Sequence, residues 1–114
     1  MVLELEVDLE RDGPAAVLPR IETLLQRYPG TSALRFIRAN ALAGSGRIDE
    51  ALRALSEQAR DEPLNPEPHY GAAQILQQVG RIEEARAAYE AVLARSSFCA
   101  PIVIADVRAR LETL

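Results

Sequence analysis

The stretch Gly46-Arg47-Ile48-Asp49-Glu50-Ala51 returns as Gly80-Arg81-Ile82-Glu83-Glu84-Ala85, so glycine, arginine, isoleucine, two acids and alanine recur in the same order with a single fixed offset. Self-similarity at a fixed period of about 20–50 residues marks an array of supersecondary units, and a period of about 34 residues, as here, belongs to a helix–turn–helix unit. In each copy the glycine permits the positive φ of a sharp turn, the acids suit the positive end of the helix that starts beside them, and the isoleucine pins that helix back onto the one before. The pattern points to binding or scaffolding and leaves the partner open.

Working outward from the two copies, helices follow from apolar spacing and their breaks from Gly and Pro. Ahead of the first copy, Thr31 or Ser32 is the expected cap of a helix carrying Leu34, Ile37, Ala41 and Leu42 and ending at Gly44-Ser45-Gly46. Asp49 and Glu50 open the next, with Ala51, Leu52, Leu55 and Ala59 as its stripe, and Glu62-Pro63-Leu64-Asn65-Pro66 breaks it. A helix over 67–79 carries Tyr70, Ala73, Ile75 and Leu76, and one over 82–95 carries Ala85, Ala88, Tyr89, Val92 and Leu93. Pro101 then starts a last helix with Ile104, Val107, Leu111 and Leu114 on one stripe.

Upstream, Pro14 to Tyr28 is predicted helical, with Val17, Leu18, Ile21, Leu24 and Leu25 on one face and Pro19 in the first turns, where a missing N–H is tolerated. Residues 1–11 fit two periods: Leu3, Leu5, Val7 and Leu9 alternate with acids as a strand would, yet Val2, Leu5 and Leu9 have helical spacing.

Composition bounds the rest. A chain of 114 residues is expected to form one domain, and 48% apolar residues with only 4% aromatics favour helix-on-helix packing. All 13 basic residues are Arg, and 17 acids bring the net charge to -4, so the uniform positive field of a nucleic-acid binder is absent. The N-terminal acids do not suit a secretory signal, no apolar run is long enough for a membrane span, and a single Cys99 fits a reducing compartment. The expected setting is a bacterial cytoplasm, and the chain reads equally well as a piece of a longer polypeptide.

With its units in register the sequence resembles the tetratricopeptide repeat family, whose signature W-x2-L-G-x2-Y, A-x3-F and P spans about 34 residues. Ala39 and Leu42, Ala51 and Leu55, and Pro63 match in one unit; Ala72, Ala73 and Leu76, Ala85 and Tyr89 match in the next. Pro29, Val17 and Ile21 stand where Pro63, Ala51 and Leu55 stand, which implies an earlier, degenerate unit and places Val2, Leu5 and Leu9 on a helix. The resemblance implies an all-α array of three helix pairs, units of about 1–30, 31–65 and 66–99, closed by a capping helix over about 100–114. The sequence departs from the signature at Arg35 and Arg38, where large apolar residues are usual, at His69 and at Ser97. The two arginines imply either a rotated helix or a polar edge presented to a partner.

Nothing in the sequence assembles a catalytic, cofactor or metal site. The one histidine, His69, and the one cysteine, Cys99, lie far apart in the chain and read as packing residues, and Gly44-Ser45-Gly46 lacks the lysine of a phosphate loop. The repeated acid pairs read as solvated helix starts. In arrays of this kind the first (A) helix of each pair lines a concave groove, which implies contact residues about four apart: Leu3 and Val7, then Phe36, Asn40 and Ala43, then Tyr70, Gln74 and Gln77. By the same resemblance Asn40 holds the backbone of an extended peptide, while Phe36 and Tyr70 serve either as anchors or as packing between A helices. No lysine is present to clamp a C-terminal carboxylate; Arg11, Arg35 and Arg38 read as a solvated or ion-paired face, or else as one that meets an acidic stretch of a partner. The expected partner is a protein or peptide, with no nucleic acid and no membrane insertion. The alternative is a structural repeat module of a larger enzyme or of a secretion or assembly complex, or a self-associating module that forms a homo-oligomer.

Overall fold

The computed structural model describes residues 13–114, so the expectations for residues 1–11, including Leu3, Val7 and Arg11, lie outside the described residues. Every regular element among the described residues is helical, as expected of an all-α array. In order they are α1 (Pro14–Arg27), α2 (Ser32–Gly44), α3 (Ile48–Asp61), α4 (Glu67–Gln78), α5 (Ile82–Leu93), a 3-10 turn (Ser96–Phe98) and α6 (Pro101–Thr113). The chain divides between Leu55 and Ser56, within α3, into two compact units.

In the first unit, Gly13 at φ 87° turns the chain into α1, whose first residue Pro14 needs no N–H partner. Val17, Leu18 and Ile21 are buried, and Leu24 and Leu25 are half-buried. Pro19 lies in the second turn of α1, beyond the residues whose N–H groups go unpaired in any helix, so the ladder lacks the bond that an N–H at this position would donate to the Ala15 carbonyl. One turn on, the Thr23 hydroxyl donates to the Pro19 carbonyl at 2.9 Å, and the helix continues to Arg27. Helix α2 packs against α1 and buries Leu34, Ile37, Ala39, Ala41 and Leu42. Thr31 is its N-cap through the backbone alone: its carbonyl accepts from Arg35 N–H at 3.1 Å, and its hydroxyl makes no cap bond.

Two contacts fix how closely α1 and α2 approach. A Cβ on Gly44 would stand 2.8 Å from Pro14 Cγ, so the end of α2 meets the start of α1 where only glycine fits. Arg38 Nε donates to Glu22 at 2.7 Å. Arg38, one of the departures from the repeat signature, is thus ion-paired to α1.

The repeated stretch forms the same joint twice. After α2, Gly46 takes φ 85°, its N–H donates to Ala43 O (3.0 Å), and Arg47 N–H reaches back to Leu42 O (2.9 Å). After α4, Gly80 takes φ 81°, with Gly80 N–H to Gln77 O (3.2 Å) and Arg81 N–H to Leu76 O (2.9 Å). Both are Schellman ends, in which a left-handed residue lets the chain satisfy the last carbonyls of a helix. The arginine carbonyl then receives the first bond of the following helix, from Ala51 or Ala85 N–H.

In the second unit α4 packs on α5 and α5 on α6. Pro68, Gly71, Ala73, Ile75 and Leu76 are buried on α4, and Ala85, Tyr89 and Val92 on α5. Asn65 sets up the start of α4 by accepting from Glu67 N–H at 3.0 Å and donating to Glu62 at 2.9 Å. Arg95 ties the end of α5 to the α3–α4 connection through Nε to Pro63 O at 2.7 Å. The helices over 67–79 and 82–95 end slightly earlier than their spacing predicts, at Gln78 and Leu93, because the Schellman end and the 3-10 turn take their last residues. On α6 only Val107 is fully buried; Ile104, Leu111 and Leu114 are half-buried.

Candidate functional site

The repeat period fixes the rotation of each helix about its own axis. The five residues buried on α2, Leu34, Ile37, Ala39, Ala41 and Leu42, stand one period before the five buried on α4, Pro68, Gly71, Ala73, Ile75 and Leu76. The second helices repeat this, with Ala51, Leu55 and Gln58 buried on α3 and Ala85, Tyr89 and Val92 on α5. Phe36, Asn40 and Ala43 therefore share one face of α2, and Tyr70, Gln74 and Gln77 the equivalent face of α4. The arginines that depart from the repeat signature do not rotate α2 out of phase with α4.

On α2, Asn40 is exposed, with Phe36 and Ala43 half-buried beside it, and its amide makes no side-chain hydrogen bond among the described residues. A primary amide can donate and accept at once, which is what pairing with an extended backbone requires. On α4, Gln74 is half-buried and likewise makes no side-chain hydrogen bond among the described residues.

Tyr70 and Gln77 belong to a polar cluster with the last helix. The Tyr70 hydroxyl donates to Asp106, whose carboxylate also accepts from Arg110 Nε at 2.9 Å. Arg110 Nη1 donates to Gln77 Oε1 at 3.0 Å, and the same oxygen accepts from the Tyr89 hydroxyl at 2.6 Å. The two tyrosine rings meet edge to face, with centroids 6.4 Å apart. Burial, reinforced by the bond to Asp106, pushes the Tyr70 phenol up to about 12. Its hydrogen bond in turn holds the Asp106 carboxyl below the ordinary range, with Arg110 adding to the effect.

Asp106 and Arg110 are not among the contacts expected from the sequence. Their signal was available: an acid and an arginine four apart on α6, one repeat period after Ala72 and Leu76, where an apolar pattern is interrupted by a complementary pair.

The remaining chemistry-bearing residues are placed by packing. The Cys99 thiol is half-buried near the Arg95 carbonyl (3.5 Å), and burial raises its pKa, which disfavours the reactive thiolate. His69 is half-buried, its Nε2 lacks a hydrogen-bond partner among the described residues, and burial, then Arg95, lower its pKa. Glu50 and Glu84 each receive two bonds from Arg47 and Arg81 at 2.6–3.0 Å, which accounts for both the repeated acid and the repeated arginine. In the first copy the bond from Arg47 lowers the Glu50 pKa. No helix among the described residues is long and apolar enough to cross a membrane.

Helices that pack in neighbouring pairs, with buried positions repeating at one period and identical glycine joints, define a helical repeat protein. Two family models described as tetratricopeptide repeat match the sequence, one over residues 9–66 and the other over residues 42–102. The chain belongs to the tetratricopeptide repeat family. Such repeats are in general protein–protein interaction modules and typically non-catalytic scaffolds. No curated protein and no solved structure matches the chain.

Proposed function

We propose that the chain is a protein–protein interaction module, a single tetratricopeptide-like domain that holds a peptide or a partner helix in the groove of its A helices. Phe36, Asn40 and Ala43 on α2 and Tyr70, Gln74 and Gln77 on α4 are the proposed contacts. The observation that carries this reading is the exposed Asn40 amide, without a hydrogen-bond partner among the described residues, on the one face of α2 that its buried stripe leaves open. Phe36 beside it supplies flat apolar area of the kind that anchors interfaces.

The test is site-directed photocrosslinking. Benzoylphenylalanine at position 40 or 74 is expected to capture the same protein from a lysate of the source cells, while the same group at Arg53, exposed on α3, captures none of it. Equal capture from position 53 contradicts the reading. The alternative, a structural or self-associating module, draws on Phe98 and Ile102, which are 58% and 79% exposed at the C-terminal end. A dimer by light scattering that persists in Asn40→Ala and Tyr70→Ala favours it.

A further inference from the structure

Helix α6 stands in the repeat register of an A helix but is held far less deeply than α2 or α4. Of the positions equivalent to the five buried on α4, only Val107 is buried; Ile102, Ala105 and Ala109 are exposed, and the fifth is the half-buried Arg110. Beyond Val107 and the half-buried Val103, Ile104, Leu111 and Leu114, its hold on the unit is polar: Asp106 and Arg110, with side chains 36% exposed, bond to Tyr70, Gln77 and Tyr89, and Arg86 donates to the Leu114 carbonyl at 3.1 Å. Exposed and half-exposed polar bonds exchange for water at little net cost, whereas buried apolar area does not.

We propose that α6 is an intramolecular competitor for the C-terminal part of the binding surface, covering a site on α4 and α5 made of Tyr70, Gln77 and Tyr89. The partner this site fits is a helix that presents a carboxylate and a guanidinium four residues apart beside a β-branched apolar side chain, as Asp106, Val107 and Arg110 do. The carboxylate accepts from the Tyr70 hydroxyl, the guanidinium donates to the Gln77 amide oxygen, and the apolar residue takes the place of Val107. A binder that reaches Tyr70 and Gln77 displaces α6, so its apparent affinity is reduced in proportion to the fraction of chains in which α6 is unseated. This rests on the reading of α4 as a partner-binding helix, and it narrows the partner at this end to a helix.

The probe is a fluorescein-labelled synthetic peptide of residues 100–114, titrated by anisotropy into the full-length chain and into full-length Asp106→Ala. Loss of a charge-assisted bond loosens the seated helix, so the variant is expected to bind the peptide about tenfold tighter or more. Adding Gln77→Ala to the variant is expected to remove that gain, and a peptide with alanine at both 106 and 110 is expected to bind more weakly to either chain. Equal affinities, no binding to either chain, or a gain that survives Gln77→Ala overturn the proposal. A variant that dimerises in sedimentation equilibrium also overturns it, since the occupant is then α6 of a second copy. Should Asp106→Ala unfold, hydrogen exchange on the unmodified chain decides: amides of α6 exchanging ahead of those in α4 and α5 support the proposal, and equal protection overturns it. None of these readouts involves Asn40, so they remain decisive if Asn40→Ala leaves partner capture unchanged.

Discussion

Gly80 and Gly44 show two different reasons for a glycine. A Cβ at Gly80 meets nothing within 4 Å, so the expected cost of Gly80→Val is that of holding a β-branched residue at φ 81°. That is about 1–3 kcal/mol of unfolding free energy by urea titration, and no measurable change contradicts the turn. Gly44→Ala instead drives a methyl group against the Pro14 ring, so its cost is expected to shrink in a Pro14→Ala background, a coupling that a double-mutant cycle measures. The first kind was legible in the sequence because the turn is written twice; the second was not, because Pro14 and Gly44 stand at opposite ends of a helix pair and nothing local signals their contact. His69 gives a pH signature. Its pKa lies below the ordinary 6.5 in the folded chain, so the unfolded chain binds the proton more readily. Its contribution to stability is therefore complete above pH 6.5 and is lost as pH falls through the folded value. The urea midpoint is expected to be lower at pH 5.5 than at pH 7.5, and that part of the difference is expected to vanish in His69→Gln.

At the scale of elements, the repeated joint sets the phase of α2 and α4, and that phase is why their buried residues coincide position for position. Periodicity carries this information, so the helices, their stripes and the faces bearing Asn40 and Gln74 could be read from the residues alone. Polar packing carries no period. Arg38 pairing with Glu22, and Asp106 and Arg110 bonding to Tyr70 and Gln77, appear in the sequence only as interruptions of a pattern. Tyr70 shows what such an interruption does: a sequence-based contact residue has its hydroxyl engaged by the next A-type helix. Spectrophotometric titration is expected to show a tyrosine that ionises near pH 12, as the Tyr70 value of about 12 requires, and to lower that value in Asp106→Asn. An unchanged titration contradicts the bond.

For the molecule as a whole, stability in a repeat array is the sum of each unit and its contacts with neighbours, and recognition uses the faces that those contacts leave open. The buried residues are alike from repeat to repeat because they do the same packing in each. The remaining faces differ, with Phe36, Asn40 and Ala43 on α2 against Tyr70, Gln74 and Gln77 on α4, and the proposed recognition of a partner falls there. Family and fold were legible because they reside in the repeated positions; the proposed contacts are unrepeated ones, and a single sequence does not decode which partner they fit. The direct measurement is calorimetric: titrate the protein captured through position 40 into the wild-type chain, Asn40→Ala and the α3 surface control Arg53→Ala. Loss of the Asn40 hydrogen bonds is expected to weaken binding about tenfold while Arg53→Ala leaves it unchanged; equal affinities for all three chains would contradict recognition by the A-helix faces.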